Sequence, residues 1–360
     1  MRRSLLLLLT GILFLTACSK KSPPNNNNGN QGGTVITPPA PAGTVSTVAG
    51  TGLPGVVNAK GTAASFFDPT GLAVDGYDYV SVADQQNNVI RNISPFDVVS
   101  TLAGDGIDSL ANGDGTAAAF RFPAGIAIDS KGNLYVADTG NDLIRLITSS
   151  GTVSTIAGGG PIGATNGTGA AASFSSPVGV AIDASGNIYV ADAGNNLIRE
   201  ISPAGLVTTL AGSGAAGFAN GTGTSASFNF PNGVAVDASG NVYVADLENR
   251  LIRKVTQAGV VSTFAGGPGG ASIIFKAPAG IAVDASGNVY VADEGSNLIS
   301  KITQAGVATT LAGSGAAGFS DALGTAASFN FPTGVAVDSK GNVYVADRGN
   351  NAIRLISSGQ

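Results

Sequence analysis

The sequence predicts an all-β fold: a six-bladed β-propeller of four-stranded antiparallel blades, with the last blade closed by the N-terminal strand. Three observations predict it. Val-Ala-Asp recurs, with its aspartates at Asp84, Asp138, Asp192, Asp246, Asp293 and Asp347. The intervals are 54, 54, 54, 47 and 54 residues, a period that signals a repeat architecture. Each repeat holds four strand-like runs parted by turn residues. The repeat region also starts, at Thr44, on the fourth run of a repeat and ends on the third.

Residues 1–18 read as a targeting segment. Arg2 and Arg3 supply a positive start, and Leu5 to Leu15 supply an apolar run too short for a stable membrane span. Leu15-Thr16-Ala17-Cys18 resembles the lipobox of bacterial lipoproteins. That resemblance implies cleavage before Cys18 and attachment of lipid to it. Cys18 is the sole cysteine, so a disulfide framework is excluded. Acyl chains there would hold the protein at a membrane at about 0.8 kcal/mol per buried CH₂. Residues 19–43 are dominated by Asn, Gly and Pro and have almost nothing to pack, so a flexible tether is expected. Ser19 after the cysteine, by resemblance to Gram-negative sorting rules, implies the outer membrane of the cell envelope, facing the periplasm or the cell surface.

The propeller is expected to span 44–360. Residues 231–266 show its unit most clearly. Gly233 to Asp237 is a short apolar run, as suits a strand packed on both faces. Ala238-Ser239-Gly240-Asn241 is turn chemistry. Val242-Tyr243-Val244-Ala245-Asp246 is β-branched and aromatic. Leu247 to Arg250 is a polar turn, Leu251 to Val255 a third strand, and Val260 to Ala265 a fourth. Four strands joined by tight turns make one blade. The stretch from Thr44 to Gly50 matches a fourth strand and Ile353 to Ser357 ends a third. Pairing the two ends closes the ring and removes an open sheet edge. No run shows capped helical periodicity, so a βα alternation is excluded. The 47-residue period arises wholly in the loop between Gly266 and Phe275.

Pro-x-Gly-x-Ala-x-Asp, Gly-Asn-x-Tyr-Val-Ala-Asp, Asn-x-Ile-Arg and Thr-x-Ala-Gly together resemble NHL repeats over residues 44–357. The resemblance implies a six-bladed propeller. The fifth blade departs from it, with Ser296 and Ser300 in place of Asn and Arg.

Composition narrows the chemistry. Without Arg2 and Arg3 the chain carries 16 basic and 23 acidic residues, which argues against a nucleic-acid partner. Histidine is absent, which excludes Ser-His-Asp catalysis, imidazole acid–base work and His-bound metal. NHL relatives with amidating-lyase activity use His-bound metal, so that activity does not carry over. Gly212 to Gly217 spells GxGxxG, but strand-forming residues follow it rather than a helix. No catalytic residue, metal or cofactor is expected. The first-strand aspartates, such as Asp237, supply one acid per loop and read as turn caps rather than calcium ligands. An arginine follows five of the second-strand aspartates at a distance of seven residues. Asp84 with Arg91, Asp138 with Arg145, Asp192 with Arg199, Asp246 with Arg253 and Asp347 with Arg354 read as structural ion-pair contacts of the repeat. Asp293 belongs to the same set without its arginine.

What remains is asymmetry. The second-to-third turns differ from blade to blade, and the short loop before Phe275 is expected to leave a notch at blades four and five. Glu248, Arg250, Glu294, Asn232 and Arg348 are the candidate ligand-binding residues there. A decayed repeat without a role is the alternative. The function expected is a lipid-anchored, non-catalytic scaffold, monomeric, binding a protein or glycan on one face. The alternative is a metal-dependent hydrolase resembling six-bladed lactonases, which would need acids converging at the channel.

Overall fold

The computed structural model describes residues 43–267 and 273–359. The targeting segment, the lipobox with Cys18 and the tether up to residue 42 lie outside the described residues, as does most of the short loop, 268–272. The described chain forms six antiparallel sheets, one per repeat. In blade four the strands are Pro231–Val236, Val242–Asp246, Leu251–Val255 and Val260–Gly266, paired in that order. Every residue of Val242–Asp246 is buried, because this strand lies between neighbours within its sheet and between blades across it. A Val-Tyr-Val-Ala run suits that double burial. Among the described residues the only helical pieces are three-residue 3₁₀ turns.

Three blades carry a fifth strand that the repeat pattern did not predict. Gly113–Asp114, Gly167–Thr168 and Gly221–Thr222 each pair along the outer edge of a fourth strand. Each lies in the loop arriving from the preceding blade. A loop of that length reaches across and covers an edge that would otherwise stand open.

The ring closes at the two ends of the folded chain. Val45–Ala49 pairs antiparallel with Ala352–Ile356, with Val45 opposite Ile356 and Ala49 opposite Ile353. The seam has its own latch. In blades one to four an asparagine (Asn58, Asn112, Asn166 or Asn220) accepts from the third-strand arginine. At the seam that place is held by Asp321, which accepts from Arg354 at 2.6 Å and from the Thr47 backbone N–H and hydroxyl, both at 3.1 Å. A carboxylate thus ties the closing strand to the loop beside it. Asp321→Asn is expected to lower stability by about 1 kcal/mol, since the group is half exposed and screened. The midpoint of urea unfolding reads this loss, and an unchanged midpoint would refute the latch.

Around the axis the six inner strands converge on glycine. A Cβ on Gly233 would lie 2.5 Å from the Ala279 carbonyl oxygen of the next inner strand. Gly71, Gly125, Gly179, Gly280 and Gly334 face the carbonyls of Ala124, Val178, Asn232, Thr333 and Thr70 even more closely. The glycine of Pro-x-Gly-x-Ala-x-Asp is therefore needed for space, since any side chain would push adjacent blades apart.

Candidate ligand-binding mouth

The second-strand aspartates and third-strand arginines build the platform under the loops. In blade four, Asp246 Oδ1 accepts from the Asn229 N–H at 2.8 Å, and Oδ2 accepts from Asn249 and Arg253 at 2.8 Å each. Arg253 then donates to the carbonyls of Ser227 and Ala219 and to Asn220 in the long incoming loop. Its guanidinium lies over the Phe228 ring, 5.4 Å from the centroid. Asp84 meets Arg91, Asp138 meets Arg145, Asp192 meets Arg199 and Asp347 meets Arg354 in the same way, with N–O distances of 2.6–2.8 Å and no side-chain exposure.

Each unit is larger than its Asp–Arg contact, in two respects. First, the arginines bind the incoming loop more than they bind the aspartate. Arg91 donates to the Ser65 and Val57 carbonyls and to Asn58. Arg145 donates to Ala119, Ala111 and Asn112, and Arg199 to Ser173, Thr165 and Asn166. A guanidinium carries five N–H donors and the carboxylate takes only one of them here, so loop acceptors take most of the others. Second, the units are not fully satisfied. Arg91, Arg145 and Arg199 are completely buried, and the Nε of each has no hydrogen-bond partner, as is also true of Arg253 and Arg354. Instead the guanidinium of each lies over a phenylalanine ring, Phe66 for Arg91, Phe120 for Arg145 and Phe174 for Arg199. Arg91, Arg145 and Arg199 are fully enclosed, so each fastens one long loop to its blade and none stands open to a ligand.

Neighbouring blades are also stapled. The last residue of each second-to-third turn sits in the left-handed region, which Asn and Asp tolerate. Asn196, for example, accepts from the Phe230 N–H at 2.8 Å, and Asn351 from the Asp68 N–H at 3.0 Å. Blade four breaks this rule with Arg250, at φ 58. An arginine side chain has no acceptor, so the equivalent Ala277 N–H turns to Asp293 instead, at 2.8 Å.

Blade five shows why Arg and the long loop vanish together. Asp293 is buried and accepts from the Lys276 and Ala277 backbone N–H groups and from Ser296. These donors replace the missing guanidinium. Ser300 stands where the arginine would, with its buried hydroxyl unpartnered. Ser300→Arg is expected to destabilise the protein by about 3 kcal/mol or more, because a buried guanidinium would lack the long loop's acceptors. A stability equal to or above wild type would show that the blade still holds the arginine's place.

At the glycine ring a cavity of about 440 Å³ opens on the axis. Its walls are Leu72, Ile126, Val180, Val234, Ile281 and Val335, one apolar side chain per blade. Its rim is unlike from blade to blade. The first turn residue after each Val-Ala-Asp is Gln85, Thr139, Ala193, Leu247, Glu294 or Arg348, and all but Ala193 line the cavity. Grooves on the opposite face lie between blades five and six and between blades two and three. Those are lined by repeated first-strand turn aspartates, so they carry the symmetry rather than break it.

Four of the five sequence-predicted ligand residues come together here: Asn232, Glu248, Glu294 and Arg348. Arg250 does not line the cavity; it holds the left-handed turn position instead. The cavity is also axial, so residues from all six blades share it. Gln85, Leu247 and Phe230 were missed, because their role depends on facing a common axis. Arg348 lies between two acids, 3.8 Å from Glu294 and 3.9 Å from Asp68, too far for a hydrogen bond to either. Burial pushes the Glu294 carboxyl up, Arg348 pulls it down, and Asp293 and Glu248 push it up; it ends above its ordinary 4.5. Among the described residues, no three of His, Cys, Asp and Glu gather as a metal-ligating group.

A closed ring of six sheets around one axial cavity defines the class: a six-bladed β-propeller. The chain carries NHL repeats: the NHL repeat model matches residues 120–145, 174–201, 228–254, 275–302 and 329–354, each stretch beginning on a buried phenylalanine. In blade one, outside those stretches, Ser81 stands where the other blades have tyrosine. The chain is 32% identical over 191 residues to Protein SUPPRESSOR OF QUENCHING 1, chloroplastic, of Arabidopsis thaliana, covering 49% of this chain and 18% of that protein. It thus spans under a fifth of that relative's length. An auxiliary nutrient binding protein from Bacteroides ovatus superposes with a TM-score of 0.63 at 17% identity, over 87% of this chain and 76% of that one. A gluconolactonase from Xanthomonas campestris superposes at 0.56 and 14% identity, over 89% and 98%. Identities this low show a shared fold alone.

Proposed function

We propose that the protein is a non-catalytic binding propeller, held at the bacterial envelope by lipid on Cys18 and presenting its mouth to a protein or glycan. One observation carries the reading. The repeat is kept wherever packing needs it, while the six rim positions hold six different residues. Structure explains a sixfold repeat; recognition needs an unlike set. The apolar run before Cys18 and the Leu-Thr-Ala-Cys motif support the anchor. Ser19 supports the outer membrane as its location.

The fold is shared by a nutrient-binding protein and by a gluconolactonase, so it does not decide between binding and hydrolysis. A hydrolase of the lactonase type would need oxygen ligands gathered on the axis, and Glu248 and Glu294 are the carboxylates lining the cavity. Binding is therefore the reading better supported.

The test compares full-length protein with Leu247→Arg at the rim and with Ser239→Arg on the opposite face, each used to capture envelope proteins and glycans. A partner held by wild type and by Ser239→Arg but lost by Leu247→Arg is the expected result. Equal capture by all three refutes the mouth as the binding face. Mass spectrometry of the purified chain is expected to show lipid on Cys18, and a stoichiometric divalent metal in it would favour the hydrolase.

A further inference from the structure

Around the rim, the two halves of the mouth differ in kind. On the side of blades three and four lie Leu247 and the half-exposed Phe230 ring, while Ala193 is buried outside the lining. Blades five, six and one contribute Glu294, Arg348 and Gln85, and Glu248 joins them from the turn of blade four. Ring order places Arg348 across the axis from Ala193, and Leu247 across from Gln85. A ligand seated on the axis would therefore meet apolar surface on one side and charge on the other.

The sign of that charge is negative. Glu248 and Glu294 line the cavity, and Arg348 is shared between Glu294 and Asp68 at distances beyond hydrogen bonding. Among the described residues, no group donates a hydrogen bond to the Glu248 or Glu294 carboxylates, nor does Arg348 donate one. Asn232, also in the lining, has its side-chain amide unengaged among the described residues. By contrast, the nearby hydroxyls are occupied: Thr70 donates to the Ala124 carbonyl, Thr139 to Pro177 and Thr333 to Pro69. So the groups left open in the mouth are two carboxylates, a half-neutralised guanidinium and the amides of Asn232 and Gln85, over an apolar wall. A cavity of about 440 Å³ falls in the size range of small-molecule sites.

We propose that the mouth takes a small organic cation: one ammonium head placed between Glu248 and Glu294, carried on an apolar body that lies against Leu247 and Phe230. This narrows the ligand of the binding reading above and rests on it. The carboxylates would supply charge-assisted hydrogen bonds, the stronger kind in a partly dry site. Arg348 competes for Glu294 and so acts against the ligand head. Its removal should tighten binding, which a merely structural arginine would not do.

The experiment uses the full chain in nanodiscs, with empty discs subtracted, titrated calorimetrically with three probes of similar shape: 2-phenylethylammonium, 2-phenylethanol and phenylacetate. The cation is expected to saturate the protein at a one-to-one ratio, and the neutral and anionic probes to bind at least about tenfold more weakly. Glu294→Gln and Glu248→Gln should each weaken the cation about tenfold, the loss of one charge-assisted bond, while Arg348→Ala strengthens it. Glu248 is exposed and the Glu294 side chain is 24% exposed, and neither carboxylate accepts a hydrogen bond, so folding is expected to hold in both Glu variants and is checked by unfolding midpoint. Equal binding of all three probes, or an unchanged affinity in both Glu variants, overturns the proposal. Saturation by the neutral or anionic probe alone, abolished by Leu247→Arg, overturns the cation and leaves the mouth as a binding site. Saturation by no probe also overturns it, with the mouth reading then judged by the capture experiment.

Discussion

Asp246→Ala is expected to destabilise the protein by about 3–5 kcal/mol, read as a lower midpoint in urea or thermal unfolding. The effect is large because of what is left behind. Arg253 is fully buried and would lose its carboxylate while keeping its charge. The Asn229 N–H and the Asn249 amide would also lose their acceptor. Asp246→Ala with Arg253→Met should be less destabilised than the single change, since the stranded charge is gone and the stem can still pack on Phe228. A double variant no better than Asp246→Ala alone would show that the pair matters through something other than buried charge. Since Arg253 also holds the 219–227 loop, the single variant should expose that loop to proteolysis.

Gly334→Ala is the second large effect expected, and it rests on space alone. Its Cβ would fall against the backbone carbonyl of Thr70 on the next inner strand, and neither partner is a flexible side chain that can swing away. Relief requires blades six and one to separate, disturbing the packing of Leu72 and Val82 against Ala336 and Ala346 in the core cluster between them. A loss of several kcal/mol is expected, in the range of overpacking penalties or above, with little soluble protein recovered. Gly76→Ala is the control, because a Cβ there meets nothing within 4 Å. If both variants unfold at the same midpoint, the close approach of the inner strands has been misjudged.

Much of this architecture could be read from residues alone, for identifiable reasons. A period of 54 residues with four β-rich runs specifies one blade per repeat, since each run has its own turn chemistry. A spacing of seven between Asp246 and Arg253 puts them on adjacent antiparallel strands, where the observed 2.8 Å contact forms. The spacing did not disclose the loop acceptors of Arg91, Arg145 and Arg199, because those lie in the loop before each first strand, well outside the pair. The seam was legible because a lone fourth strand at Thr44 and a third strand lacking a partner at Ile356 complement each other. Contacts that cross between blades were not legible. The glycine ring depends on how near successive inner strands approach, which no local pattern encodes. The edge strands such as Gly221–Thr222 lie in loops without β-branched runs, and are held by the edge they cover. Leu247 and Arg348 belong to different blades, far apart in the chain, and meet only because both face the axis. Arg250 looked like a ligand residue by charge and position, but it is not part of the cavity lining.

The seam also bears on how the protein is made. Val45–Ala49 is the first strand of the fold to leave the ribosome, and its partner Ala352–Ile356 is the last. As the chain folds, the leading strand stays unpaired until its distant partner is in place, and contacts this distant in sequence form slowly. A polypeptide cut short before residue 352 would hold blades yet never shut, leaving both the waiting strand and the second strand of blade six with bare edges. The circle therefore shuts only when residues 352–356 join the fold, and until then quality-control proteases have an open form with bare edges to recognise.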